Sequence, residues 1–399
     1  MIKKVIFPFL FCSLLIACNR SAALKEGAVA ESGEIKVIKP ASTENTIDIS
    51  PYLDTIRYVK LELTDESMVG YIQKMMVFEE RIYILDTHTS SLFVFDIDGN
   101  YLFKIFSVGE GPKEYMQVDL FDIDSKKRQI VLTDLMANRV LRYNLDGHFI
   151  SRTKIPFWID GIVPGHDGGY VMYTNYLNNK STLKQEYNLL YLDSLMNITQ
   201  SYFPYSSEQF IKLTSPQGSV FYPYNGDFYF FTGYGNTIHK VGKEELSLVY
   251  SFDFGDKVFD ISRLTDEKSA KEYLKKKTFY SLYAIQETDE ILSFSLSEPI
   301  DSPLPFLFHG YYSKKTNNLL YSLAFVLGKE GQGQFYTPSI AAYGSWLIAE
   351  IAVESLLSWK ESTQNDRFEN KFLEQRKQFT ESLEIEDNPV LMFYRLKPF

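Results

Sequence analysis

Five histidines, His88, His148, His166, His239 and His309, are the side chains best suited to bind a metal or move a proton near neutral pH. They are scattered, and no two stand at the short spacing of a metal-binding loop or helix. Asp96-Ile97-Asp98-Gly99-Asn100 carries the carboxylates of a calcium loop. Its glycine is fourth, however, where such a loop needs it sixth, and Ser107 stands where the bidentate glutamate belongs. Gly109-Glu110-Gly111-Pro112 is no phosphate cradle, because no Gly-Lys-Ser/Thr follows and proline removes a backbone donor. A Gly-x-Ser-x-Gly elbow is missing, and the many carboxylates cannot be paired at glycosidase separation from sequence. The expected set of catalytic residues, metals and cofactors is therefore none. Any site has to be assembled by the fold from distant stretches of chain.

Those stretches are strands, and they repeat. Ile82 to Asp86 is a strand, Leu92 to Phe95 the next and Tyr101 to Ile105 a third. Asp98-Gly99 between the last two is a hairpin signal, since the turn needs a positive φ that glycine adopts freely. A shift of 48 residues, without a gap, carries Asp86 onto Asp134, Phe95 onto Tyr143 and Asp98-Gly99 onto Asp146-Gly147. Leu190 to Asp193, Thr237 to Val241, Asn318 to Leu323 and Trp346 to Ala349 fit later units, and Pro389 to Leu396 ends the series. About four strands per unit at that period predict an all-β propeller, with six blades over residues 46–399. Ile56 to Leu61 precedes the first unit and is expected to close the ring beside the C-terminal strands. Ser262 to Lys277 and Trp359 to Leu383 are charged, with loosely helical apolar spacing, and are expected as short helical insertions.

Composition agrees with a large core. Of 399 residues, 45% are hydrophobic and 16% aromatic, which excludes a disordered chain. Lys plus Arg is 41 against 51 Asp plus Glu, a net charge of -10 with no basic cluster, so no nucleic-acid partner is expected.

The N-terminus reads as an address. Lys3 and Lys4 precede the apolar run Val5 to Ala17, the layout of a signal peptide over residues 1–17. Leu15-Ile16-Ala17-Cys18 resembles the lipobox of bacterial lipoproteins, which implies lipid attachment at Cys18 and a membrane partner through that lipid. The chain's other cysteine, Cys12, lies inside the signal, so no disulfide is expected. Residues 18–45, rich in Ala, Ser, Glu and Lys, are expected to be a flexible tether. Asn19 is not the aspartate that holds some lipoproteins at the inner membrane, so the resemblance implies the outer membrane, facing the periplasm or the surface.

Leu92-Phe93-Val94-Phe95-Asp96 with Asp98-Gly99, then Gly109-Glu110-Gly111-Pro112-Lys113-Glu114-Tyr115, resembles the bacterial six-bladed, NHL-like β-propeller lipoproteins. Lys113 stands where that element usually has glycine. The ending Asn388-Pro389-Val390-Leu391 with Leu396-Lys397 also matches. The resemblance implies fold and location but no catalytic residue. In a four-stranded blade, the loop between second and third strands shares a face with the loop leading to the next blade. On that face the first two blades place His88, Thr89, Glu114, Tyr115, Asn138 and Arg139, the candidate ligand contacts. Two functions are compatible: a binding or scaffold propeller engaging a protein or an envelope glycan, and a hydrolase or lactonase acting on a carbohydrate or lactone at the channel mouth.

Overall fold

The strand Arg81–Asp86 is buried on both faces: Ile82 and Ile84 pack in one direction, Tyr83 and Leu85 in the other. A strand covered on both sides reads as an unbroken apolar run, which is how this stretch reads in the sequence. The structure, a computed structural model, describes residues 26–41, 44–207, 219–264, 266–276, 279–298, 306–328, 332–364 and 366–399.

Three strands precede the first repeat: β1 (Ala30–Ile38), β2 (Thr46–Asp48) and β3 (Leu53–Lys60). Four-stranded antiparallel sheets follow. The first is β4 (Lys74–Phe78), β5 (Arg81–Asp86), β6 (Ser91–Asp96) and β7 (Tyr101–Ile105). The second is β8 (Leu120–Asp124), β9 (Gln129–Asp134), β10 (Arg139–Asn144) and β11 (Phe149–Lys154). The third is β12 (Gly161–Pro164), β13 (Tyr170–Tyr173), β14 (Glu186–Leu192) and β15 (Ile198–Tyr205). In the fourth, β16 (Phe221–Tyr224), β17 (Asp227–Phe231), β18 (Thr237–Val241) and β19 (Leu246–Phe252) take β1 as a fifth strand. The fifth is β20 (Ser281–Glu287), β21 (Ile291–Glu298), β22 (Phe306–Ser313) and β23 (Leu319–Ser322). A small sheet combines β24 (Ala324–Val326) and β25 (Gln334–Phe335) with β2, and the last sheet runs β26 (Ser339–Tyr343), β27 (Trp346–Ile351), β28 (Val390–Leu396), then β3.

The fold is a β-propeller. The first strands β4, β8, β12, β16, β20 and β26 neighbour one another in that order around an axis, and β26 returns to β4. The core lies between adjacent sheets, as where Tyr83, Leu85 and Val94 of the first meet Phe121, Ile130 and Leu132 of the second. The sheets number seven where six were expected: six supply a first strand to the ring, and the small sheet is an addition that supplies none. The small sheet has strands of only two or three residues, one of them borrowed from the N-terminal segment, so a period of four long strands could not register it. The expected closure is present: β3 pairs antiparallel with β28 from Lys60 opposite Val390 to Leu53 opposite Leu396.

The tether reading is also corrected within the described residues. β1 lies parallel on β19, from Ala30 opposite Ser247 to Ile38 opposite Phe252, and Ile38 is buried. Cys18 and the signal segment lie outside the described residues.

The first helical insertion is α1 (Glu267–Lys276). The second resolves into α2 (Val353–Ser362) and α3 (Lys371–Thr380), the latter begun by the Asn370 side chain accepting the Phe372 N–H at 2.9 Å. α3 covers the flank of β3: Phe379 stacks on Tyr58 at 5.1 Å, and the buried Arg376 reaches the Tyr58 hydroxyl and the Gln334 carbonyl.

Candidate functional site

Two aspartates at the ends of second strands tie down the face on which the six candidates lie. Asp86 accepts the N–H groups of His88 (2.9 Å) and Thr89 (3.2 Å) with one oxygen, and of Gly70 (3.0 Å) and Tyr71 (3.3 Å) with the other. Asp134, its partner under the repeat, accepts from Ala137 at 2.9 Å and Met116 at 2.8 Å. Each carboxylate thus joins the loop after its own strand to the loop that leads into its sheet.

Most of the candidates serve this scaffold. Tyr115 is fully buried, accepting the Ser107 N–H at 3.0 Å with its hydroxyl 2.9 Å from the Ser90 carbonyl. It packs between sheets and cannot touch a ligand. Glu114 folds back over its own loop and accepts the Gly111 N–H at 2.7 Å. A Cβ at Gly109 would lie 2.1 Å from that carboxylate and would displace it. Arg139 is held by Asp134 at 3.0 Å, and Asn138 sits in a turn at φ 50° with its carbonyl accepting the Ile155 N–H. Thr89 contributes its backbone to Asp86. Only His88 reaches toward a cavity: its ring stacks on Tyr71, centroids 5.0 Å apart, and Tyr71 lines the axial channel.

The same face carries a cleft of about 420 Å3 between the third and fourth sheets, which the sequence did not single out. Tyr176 comes from the β13–β14 loop, Thr232 from the β17–β18 loop, Ser206 from the segment after β15, and Ile261, Ser262 and Leu264 from the segment after β19. Its walls are aromatic. Tyr176 meets Tyr205 edge-on at 5.3 Å, and Phe203 stacks on Phe230 and meets His239 at 5.7 Å. Phe203 holds φ 59° inside β15, a left-handed conformation costly for a bulky residue.

His239 is the polar centre of that wall. It is 7% exposed, and its Nδ1 has no hydrogen-bond partner. Burial lowers its pKa from 6.5 to about 4, only partly offset by a backbone hydrogen bond at Phe230. Burial likewise lowers His309 to about 4, where its Nδ1 lies 2.8 Å from the Ser295 hydroxyl. Between those values the unfolded chain binds more protons than the native one, so stability present above pH 6.5 is lost as pH falls toward 4. The thermal midpoint is expected to drop across that window, and the double variant His239→Gln/His309→Gln to flatten the drop. An unchanged slope in that variant would contradict the assignment.

Among the described residues, no three His, Cys, Asp or Glu side chains gather as metal ligands, and no helix is long and apolar enough to cross a membrane. The family model for a domain of unknown function, DUF4934, matches residues 33–395. The chain belongs to the DUF4934 family. Among solved structures, this DUF4934 chain is similar to a Bacteroides fragilis protein assigned to export. The two share 20% identity and a TM-score of 0.70, over 91% of this chain and 100% of that one. It is also similar to a DUF4221-family member from Bacteroides vulgatus, at 11% identity and a TM-score of 0.52, over 86% of this chain and 97% of the other. Identities this low show the fold alone. No curated protein matches the DUF4934 chain.

Proposed function

We propose that this chain is a lipid-anchored propeller of the bacterial outer membrane that binds an envelope glycan in the cleft between its third and fourth sheets. Leu15-Ile16-Ala17-Cys18 and the export assigned to the Bacteroides fragilis relative support the location. The observation that carries the binding role is the cleft wall. Flat aromatic faces suit the C–H faces of sugar rings, and the unpartnered Nδ1 of His239 asks for a hydroxyl donor. A buried polar atom left without a partner is costly, and native proteins seldom leave one unexplained. The hydroxyls of Ser206, Thr232 and Thr237 line the same cleft and offer both donors and acceptors.

The test is thermal unfolding of the full chain with a panel of envelope oligosaccharides. A bound glycan at a hundred times its dissociation constant adds about 2.7 kcal/mol of stability. The expected result is a shift that Tyr176→Ala and His239→Leu abolish, together with loss of membrane fractionation in Cys18→Ser. A flat panel sinks the glycan reading, and turnover of a panel sugar would replace binding with catalysis.

A further inference from the structure

A second cavity, about 310 Å3, lies on the axis. Its walls come from β4, β16, β20 and β26 and from Tyr71, Ile72 and Gln73 just before β4. Glu350, near the end of β27, is the one carboxylate on that wall, and among the described residues no side chain hydrogen-bonds or ion-pairs with its carboxylate. The other charge on the wall, Lys74, is already neutralised: its ammonium lies 2.7 Å from the buried Asp122 carboxylate and 2.9 Å from the Phe121 carbonyl. Burial with no compensating partner pushes the Glu350 carboxyl up. The half-buried carboxylate faces the cavity and can meet a charge of opposite sign there.

The rest of the wall indicates what would meet it. Tyr71 and Tyr283 present aromatic rings, and Tyr71 is fixed from behind by the stacked His88. β20 is also distorted here, with Ala284 at φ 49° and a register shift between Tyr283 and Gln286. Bulges of this kind re-aim side chains beside functional sites. One carboxylate, with no histidine, cysteine or second carboxylate on the wall, is a poor ligand set for zinc as for calcium or magnesium. A carboxylate beside aromatic faces suits an organic cation, held by a charge-assisted hydrogen bond and by the ring quadrupoles. We infer that the axial cavity is a binding site for a guanidinium or primary ammonium group, with Glu350 as its counter-charge. The group arrives either as a free small cation or as an arginine or lysine side chain of a peptide.

Calorimetric titration of the full chain separates these outcomes. Methylguanidinium and n-butylammonium are expected to bind saturably, and the neutral methylurea not to bind. Glu350→Gln is expected to weaken the cations by at least about tenfold, as loss of one partner of a buried charge pair does. Tyr71→Ala alters an exposed side chain and is expected to weaken them several-fold without affecting the fold. Tighter binding of acetyl-Leu-Arg-Leu-amide than of methylguanidinium identifies a peptide side chain as the source, and equal or weaker binding a free cation. No saturable cation binding, equal binding by Glu350→Gln, or equal binding of methylurea overturns the assignment. Tyr176→Ala in the glycan cleft is expected to leave these titrations unchanged, so either site can fail without the other.

Discussion

Glu287→Ala is expected to lower the unfolding free energy by about 3–5 kcal/mol, the scale for removing one member of a buried ion pair. Glu287 is 4% exposed at the end of β20. Its carboxylate accepts the hydroxyls of Tyr222 at 3.0 Å and Tyr250 at 2.7 Å, and meets the Lys314 ammonium at 2.7 Å. Burial, reinforced by that carboxylate, pushes both tyrosine hydroxyls well up, so they stay protonated and donate. One side chain thus joins the fourth and fifth sheets. Truncation strands a largely buried ammonium and leaves two hydroxyls without their acceptor. The double variant Glu287→Met/Lys314→Met removes both charges together and is expected to recover most of the loss. Urea denaturation decides it: a single-variant loss under about 1 kcal/mol, or a double variant no better than Glu287→Ala, would show that the stranded charge is not the cause.

The second large effect is expected at Asp134. Its carboxylate is fully buried, accepts two loop N–H groups and holds Arg139, whose side chain is only 14% exposed. Asp134→Ala leaves all three donors without an acceptor and is expected to cost about 3 kcal/mol or more. Asp134→Asn keeps one acceptor oxygen and is expected to cost about half of that. Hydrogen exchange should rise at Met116 and Ala137, where the freed amides lie, and remain slow in β9 and β10. Uniform exchange across the second sheet would mean that the aspartate supports the whole sheet and not its loops.

Asp134 also marks what a single sequence makes legible. Asp86 and Asp134 fell into register under the 48-residue shift because each does the same local job at the end of a second strand. The Asp98-Gly99 and Asp146-Gly147 turns did so too, with Gly99 at φ 93° and Gly147 at φ 79°. Features repeated with the sheet, and satisfied within a few residues, leave a periodic trace. The small sheet and β1 left none, because their strands are short or solitary and their partners lie far along the chain. Strand order alone determines which loops share a side, and the cleft between the third and fourth sheets lies among loops of that side. The individual residues were harder. Tyr115 fills a gap between sheets while Tyr176 lines a cleft, and no spacing separates the two tyrosines. In a chain whose aromatics do most of the packing, an aromatic site is hidden among its own kind.

The pairing of β3 with β28 also sets a schedule. The outermost strand of the last sheet is made before the first full sheet, and its partner after all the others. β3 therefore waits, unpaired, while the intervening sheets are synthesised, and the circle cannot shut until β28 arrives. Contacts this distant along the chain form slowly. Intermediate sheets can gather in order, but each keeps an open edge that could join a neighbouring molecule. The danger is greatest just before completion, when one gap remains and both its lips are bare.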